Sequence, residues 1–122
     1  MVVRIDFNSE EAIYIQLRNQ IILGIANAEI KEGDNLPSVR ELAENIGINM
    51  HTVNKAYTIL KQEGYLKLDR RKGAVISVEA DKYKAMMDMI EVLQVLLAEA
   101  YCKNITKEEI HEAVDRIYDQ FL

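Results

Sequence analysis

The sequence contains one cysteine, one proline and no run of about 18 apolar residues, the length that suggests a membrane-spanning helix. A single cysteine cannot form a disulfide within the chain, so Cys102 fits a reducing compartment. Its apolar neighbours favour a packed position over a reactive thiol. The first residues also lack the layout of a signal peptide. The sequence therefore predicts a cytoplasmic protein that is not associated with a membrane.

Motifs of common enzyme sites are also missing. There is no glycine-rich phosphate loop, no nucleophile elbow and no paired-carboxylate cleft. One stretch groups His111 with three carboxylates: Glu108, Glu112 and Asp115. This group could hold a metal ion, but spaced charges on the solvated face of a helix are the favoured interpretation. His51 has no second histidine or cysteine at ligand spacing, so the sequence predicts no enzyme, no metal and no cofactor.

The central segment, residues 36–55, has the pattern of two short helices joined by a tight turn. Ser38 and Glu41 form an S-x-x-E capping box just after the only proline. Gly47 tolerates the positive φ needed where the first helix stops, and Asn49 is a good N-cap for the second. The apolar positions recur at helix-face spacing: Val39, Leu42, Ala43 and Ile46, then Val53, Ala56, Tyr57 and Leu60. Short helices joined this way cross steeply, as in a helix-turn-helix.

The second helix of this pair has a polar face opposite its apolar one. That face and its flanks carry His51, Thr52, Asn54, Lys55, Thr58 and Gln62. Short polar donors and a cation near a helix N-terminus suit contact with base edges in the major groove of DNA. The pattern alone leaves a solvated face on an ordinary helical hairpin as the alternative.

Charge is unevenly distributed along the chain. The net charge is −5, which by itself argues against nucleic acid. Residues 1–79 carry ten Lys or Arg against eleven Asp or Glu, whereas residues 80–122 carry five against nine. Residues 53–73 carry six basic and two acidic residues, a local charge of +4. This distribution predicts a small DNA-binding unit attached to an acidic segment that DNA would repel.

A first helix and a hairpin are predicted on either side of the central pair. After an extended piece, Asn8 or Ser9 can cap a helix that runs to about Ala28. Its apolar stripe is Ile13, Leu17, Ile21, Ile25 and Ala28. Two β-rich runs, 65–69 and 74–78, flank four residues that form the predicted tip: Arg70, Arg71, Lys72 and Gly73. The tip is either a solubilising turn or, as the cations favour, a contact with phosphate or the minor groove.

Residues 80–122, called the tail below, predict two more helices. Asn104 breaks the first, and Thr106 with Glu109 forms a second capping box. Two helices with so much apolar surface cannot bury it all against each other, so the excess must meet either the N-terminal domain or a second copy of the chain. A dimer through these helices is the economical solution. The residues expected at this dimer interface are Met86, Ile90, Leu93, Leu97, Val114, Ile117 and Phe121.

The chain resembles the GntR family of bacterial transcription regulators over roughly residues 10–78, and its short tail resembles the YtrA-type subfamily. The matching positions are Tyr14, Gln16, Gly33, Leu36, Pro37, Ser38, Arg40, Glu41, Leu42, Ala43, Gly47, Thr52, Val53, Lys55, Ala56, Tyr57, Leu60, Glu63, Gly64, Tyr65, Lys72 and Gly73. The resemblance implies a mainly α fold with a small β-hairpin, namely a winged helix-turn-helix domain over residues 1–79. It further implies a two-helix dimerisation segment over residues 80–122, a homodimer, and sequence-specific binding to an inverted-repeat DNA operator.

Carried over position by position, the resemblance implies a set of DNA contacts on the helix pair and on the wing, which is the tip of the predicted hairpin. These are Ser38, Arg40, Asn49, His51, Thr52, Asn54, Lys55, Arg70, Arg71, Lys72 and Gly73. The chain departs from the family at Met50, where an arginine is common, and at Arg71, where the wing usually carries a glycine. The predicted function is a dimeric transcription regulator, with repression favoured. The alternative is a winged-helix module that docks a protein without touching DNA. A small-molecule effector is not indicated and would have to bind at the dimer interface.

Overall fold

The computed structural model describes residues 2–121, which form five α-helices and one antiparallel two-stranded hairpin. The elements in chain order are α1 (Ile13–Ala26), α2 (Val39–Ile46), α3 (Met50–Gln62), β1 (Leu66–Asp69), β2 (Gly73–Ile76), α4 (Lys82–Cys102) and α5 (Lys107–Asp119). The predicted mainly α class with a small hairpin is confirmed. The chain divides into two compact units, Met1–Glu79 and Ala80–Leu122. No helix within residues 2–121 is both long and apolar enough to cross a membrane.

The core of the first unit lies between α1, α2, α3 and the hairpin. Its largest fully buried side chains come from three of these elements: Leu17, Ile21, Val53, Leu60 and Ile76. Each such side chain contributes about 1.5–3 kcal/mol by leaving water. The shared core fixes α3 against both other helices, with α1 and α2 each packed on it.

Two glutamines of α1 hold the extended residues that precede the helix. Gln20 accepts a hydrogen bond from the backbone N–H of Arg4 (2.8 Å) and donates to its carbonyl. Gln16 accepts from the N–H of Asp6 (2.9 Å) and donates back to the Asp6 carbonyl (3.0 Å). These paired bonds satisfy the backbone of the extended piece without a neighbouring strand.

The predicted limits of α1 were wrong at both ends. The helix begins at Ile13 and not after Asn8 or Ser9. The Ser9 hydroxyl instead accepts from the N–H of Glu11 (3.0 Å), which makes a local turn that competes with a helix start. Past the C-terminal end, Ala28 has a φ of 60°, so it lies outside the helix and is exposed.

The predicted caps of the helix pair are present. The Ser38 hydroxyl accepts from the N–H of Glu41 (3.1 Å), and Asn49 accepts from the N–H of His51 (2.7 Å). The capping box at Ser38 is half formed, because the Glu41 carboxylate accepts from the Ser38 hydroxyl (3.2 Å) and not from its backbone. Gly47 has a φ of 82° and ends α2 as predicted.

Substitutions at Gly47 test whether the turn between α2 and α3 depends on the backbone conformation of this residue alone. A Cβ at this position would meet nothing within 4 Å, so a substitution has only its backbone cost. We expect Gly47→Ala to lower the free energy of unfolding by about 1–2 kcal/mol, because L-residues disfavour the left-handed region. Gly47→Asn should lower it less, since asparagine tolerates that region. Urea unfolding at one protein concentration measures both, and equal losses would contradict this account.

The hairpin differs from its prediction in the length of its tip. Asp69 pairs with Gly73, so the tip has three residues, 70–72, and Gly73 is the first residue of β2. Gly73 has a φ of 78°, which is typical of a three-residue hairpin loop that closes with a left-handed residue. On its other side β2 bonds to residues 33–36, where the N–H of Leu36 donates to the Ala74 carbonyl (2.9 Å).

The second unit consists of α4 and α5. Asp81 caps α4 by accepting from the N–H of Lys84 (3.1 Å), and Asn104 leaves the helix with a φ of 64°. The Thr106–Glu109 capping box is complete, as predicted. No residue of α4 or α5 is buried. The prediction of a packed Cys102 was therefore wrong for the single chain, because the described residues supply no core to cover it.

Candidate nucleic-acid interface

The two faces of α3 have opposite character. Its buried face consists of Val53, Ala56, Tyr57 and Leu60. Because the helix repeats every 3.6 residues, His51, Asn54 and Lys55 then lie on the outer side, where all three are exposed. Thr52 is half-buried at the flank. The structure therefore places the predicted polar residues of α3 on one accessible surface near its N-terminus.

Tyr57 fixes α3 against the beginning of α2. Its hydroxyl donates a hydrogen bond to the carbonyl of Pro37 (2.7 Å). Burial raises the pKa of the Tyr57 hydroxyl, so it stays protonated and able to donate. The bond places the first turn of α2, with Ser38 and Arg40, beside α3. Because α3 is the helix predicted to contact base edges, it is called the reading helix below.

The predicted contact residues divide into free donors and caps. Arg40, His51 and Asn54 are exposed, and within residues 2–121 their side chains form no hydrogen bond or ion pair. The side chains of Ser38 and Asn49 are instead engaged in capping α2 and α3. Ser38 and Asn49 therefore position the donors, and the unengaged groups are the ones available to base edges.

The wing tip, Arg70 to Lys72, is held from two sides. The Asp69 carboxylate accepts from the backbone N–H groups of Arg71 (2.8 Å) and Lys72 (3.1 Å), and these bonds lower the pKa of Asp69. The side-chain amide of Asn35 donates to the Lys72 carbonyl. All three cationic side chains remain exposed and, within the described residues, unpaired. The backbone of the tip is thus held in place, while its three cationic side chains remain available to contact phosphate.

The wing base and the start of α2 line a common cleft of about 440 Å³. Its lining includes Ser38 and Glu41 from the start of α2 and Lys72 and Gly73 from the wing. The structure therefore brings these parts of the predicted site together. Glu41 adds a negative charge to the cleft, so the cations of the tip, and not the cleft itself, are the candidate phosphate contacts.

Three residues that shape this interface were not among the predicted DNA contacts: Tyr14, Asn35 and Asp69. The Lys55 ammonium lies 4.0 Å from the centre of the Tyr14 ring. Asp69 stands four positions before Gly73, which is a local signal for a turn held by a carboxylate. Asn35 and Tyr14 meet partners far away in sequence, and nothing in the local pattern indicates those contacts.

The conserved-family profile described as bacterial regulatory proteins of the gntR family matches residues 9–76, more than half of the chain. This chain belongs to the GntR family. It is therefore a transcription regulator with a DNA-binding winged helix-turn-helix, as the sequence predicted. The matched segment includes α1, the reading helix and the wing.

Relatives extend the similarity into the tail. The transcriptional repressor YtrA of Bacillus subtilis is 37% identical over 119 residues, which cover 95% of this chain and 92% of the relative. The solved structure of YtrA from Sulfolobus acidocaldarius, a GntR-family transcription factor, is 39% identical and covers 97% of each chain, with a TM-score of 0.62. A transcriptional antiterminator structure from Listeria monocytogenes is 27% identical and covers 100% of this chain and 94% of its own, with a TM-score of 0.89. The predicted YtrA-type resemblance is confirmed.

Proposed function

We propose that this GntR-family chain is a cytoplasmic homodimeric repressor that reads an inverted-repeat operator with α3 and grips flanking phosphates with the wing. The observation that supports this most is a set of exposed donors on the packed helices α2 and α3 that form no hydrogen bond or ion pair within residues 2–121: Arg40, His51 and Asn54. Arginine matches the acceptors of guanine, and asparagine matches the edge of adenine. A small-molecule effector is not part of the proposal.

The reading helix also favours DNA over a protein partner. A surface that docks protein is expected to have an apolar centre. On α3 the only exposed large hydrophobic side chain is Met50, at its first position. A lone apolar side chain among polar donors suits contact with a thymine methyl group better than a protein groove.

The tail supports the homodimer. Among residues 80–121, fourteen large hydrophobic side chains are exposed. Five of the predicted interface residues belong to this exposed set: Met86, Ile90, Leu97, Val114 and Ile117. The other two, Leu93 and Phe121, are half-buried. An apolar surface of this extent marks an interaction site, and a second copy related by a two-fold axis covers equivalent residues on both chains.

Arg40 carries the first prediction about binding. We expect Arg40→Ala to weaken operator binding by about 1–3 kcal/mol, because a lost guanine or phosphate contact has that cost. Lys61→Ala is the matched control, since it removes the same charge from an exposed position in the last turn of α3. Fluorescence anisotropy with labelled operator measures both. Equal affinity for Arg40→Ala and the unmodified protein would remove Arg40 from the site.

A gel-shift titration tests the function as a whole. The probe is the promoter of the chain's own operon, and the control is a shuffled duplex of equal length and composition. We expect a shift of the promoter that resists excess shuffled DNA and weakens as salt rises, because phosphate contacts release counterions. Equal affinity for both duplexes would contradict sequence-specific regulation.

A further inference from the structure

Lys55 on the reading helix is held by an aromatic ring from a different helix. Its ammonium lies 4.0 Å from the centre of the Tyr14 ring, inside the roughly 6 Å range of a cation–π contact. Tyr14 belongs to the first turn of α1 and packs against the core of the first unit. The ring is therefore a fixed platform, whereas the lysine is exposed.

The contact with Tyr14 restricts the position of the Lys55 ammonium. A free lysine side chain on a helix surface loses rotamer entropy when a ligand immobilises it. Within residues 2–121 no carboxylate pairs with Lys55. Its positive charge is thus uncompensated, and the ring face occupies only one side of the ammonium. The remaining N–H donors stay free at the border between α1 and the reading surface.

We propose that Tyr14 is a positioning residue for DNA recognition, which holds the Lys55 ammonium where it meets a backbone phosphate beside the major groove. A phosphate is the fitting partner because lysine acts as a compact point charge, without the planar fork that reads base edges. Because the ring already restricts the Lys55 side chain, less of its conformational entropy is lost when it binds the phosphate. This inference rests on the proposed function.

The test is a double-mutant cycle with the full-length protein and the operator fragment found by gel shift. Tyr14→Phe keeps the ring, Tyr14→Leu removes it, and Lys55→Ala removes the charge. We expect Tyr14→Phe to bind as the unmodified protein does and Tyr14→Leu to bind about two- to fivefold more weakly. In the Lys55→Ala background, Tyr14→Leu should cause no further loss.

A salt titration adds a readout that a loss of stability would not change. Lys55→Ala should flatten the slope of log K against log salt by about one unit for each lost phosphate contact. If Tyr14→Leu fails to fold, pentafluorophenylalanine at position 14 replaces it, because fluorination removes the negative ring face but keeps the ring shape. This variant should reproduce the loss expected for Tyr14→Leu.

Several results would overturn the assignment. Equal losses from Tyr14→Leu in both backgrounds would make Tyr14 a residue of the fold alone. Tighter binding by Tyr14→Leu would mean that the ring competes with DNA for the ammonium. An unchanged affinity and salt slope for Lys55→Ala would remove the phosphate contact. In each case specific binding by the unmodified protein would leave the proposed function standing, whereas failure of that protein to distinguish operator from shuffled DNA would refute the proposed function itself.

Discussion

Replacing both Leu93 and Leu97 with glutamate is expected to give a monomer that binds the operator about a hundredfold more weakly, or worse. The two leucines lie one helical turn apart on the same face of α4. In a two-fold dimer each change occurs twice, so four carboxylates would enter one apolar interface. A carboxylate without a partner is costly to bury, so the chains should separate.

Loss of the proposed dimer would remove half of the contacts that recognise the operator. One reading helix makes only a few base contacts of about 1–3 kcal/mol each. In the proposed dimer, two copies joined by the tail would read two half-sites, and the second set of contacts would be gained with little extra ordering because the first copy already holds it in place. The monomer should therefore keep weak, salt-sensitive binding and lose most of its discrimination between sequences.

The matched control for this variant is Gln94→Glu with Ala98→Glu. It adds the same two charges at the same spacing to exposed positions on another side of α4. Light scattering gives the mass of each variant, and far-ultraviolet circular dichroism reports whether the helices persist. A folded Leu93→Glu/Leu97→Glu variant that remains dimeric would exclude this face as the interface. An unfolded variant would instead show that the tail helices require their partner.

Removing the three cations of the wing tip is expected to have the second large effect. Replacement of Arg70, Arg71 and Lys72 with alanine should flatten the slope of log K against log salt by about one unit per lost phosphate contact. The proposed dimer would have two wings, so every contact would count twice. The backbone bonds from Asp69 and Asn35 do not depend on these side chains, so the tip should keep its conformation.

The control for the wing variant removes the same total charge from another part of the chain. Lys82, Lys84 and Lys103 lie in the tail, and replacing all three with alanine removes three positive charges that are not part of the proposed site. Affinity for the operator is measured at several salt concentrations for both triple variants. A slope that the wing substitutions leave unchanged would make the tip a solubilising turn.

The helix pair could be predicted because its signals are local. Ser38, Gly47 and Asn49 stand next to the backbone groups they serve, and the apolar spacing shows which face is buried. The same holds for the capping box at Thr106 and the break at Asn104. In each case a residue acts within four positions of itself, which is the range that a sequence pattern reports.

The features that were not predicted depend either on a competing local conformation or on a partner that is distant in sequence. Ser9 is a good cap by type, but its hydroxyl forms a turn with Glu11, so α1 begins later. The tip is one residue shorter than predicted because Gly73 closes the loop from within the strand. The contact of Asn35 with Lys72 joins positions 37 apart in sequence, and no local pattern contains it.

Selection of DNA from a random pool by the unmodified protein tests the central claim most directly. A two-fold dimer that reads with α3 should enrich one inverted repeat, with half-sites whose centres are about 10 base pairs, or one helical turn, apart. Spacing variants of the enriched duplex, shifted by about half a turn, should bind poorly because the second reading helix then faces the wrong side. Enrichment of a single asymmetric site, or of no sequence at all, would contradict the account.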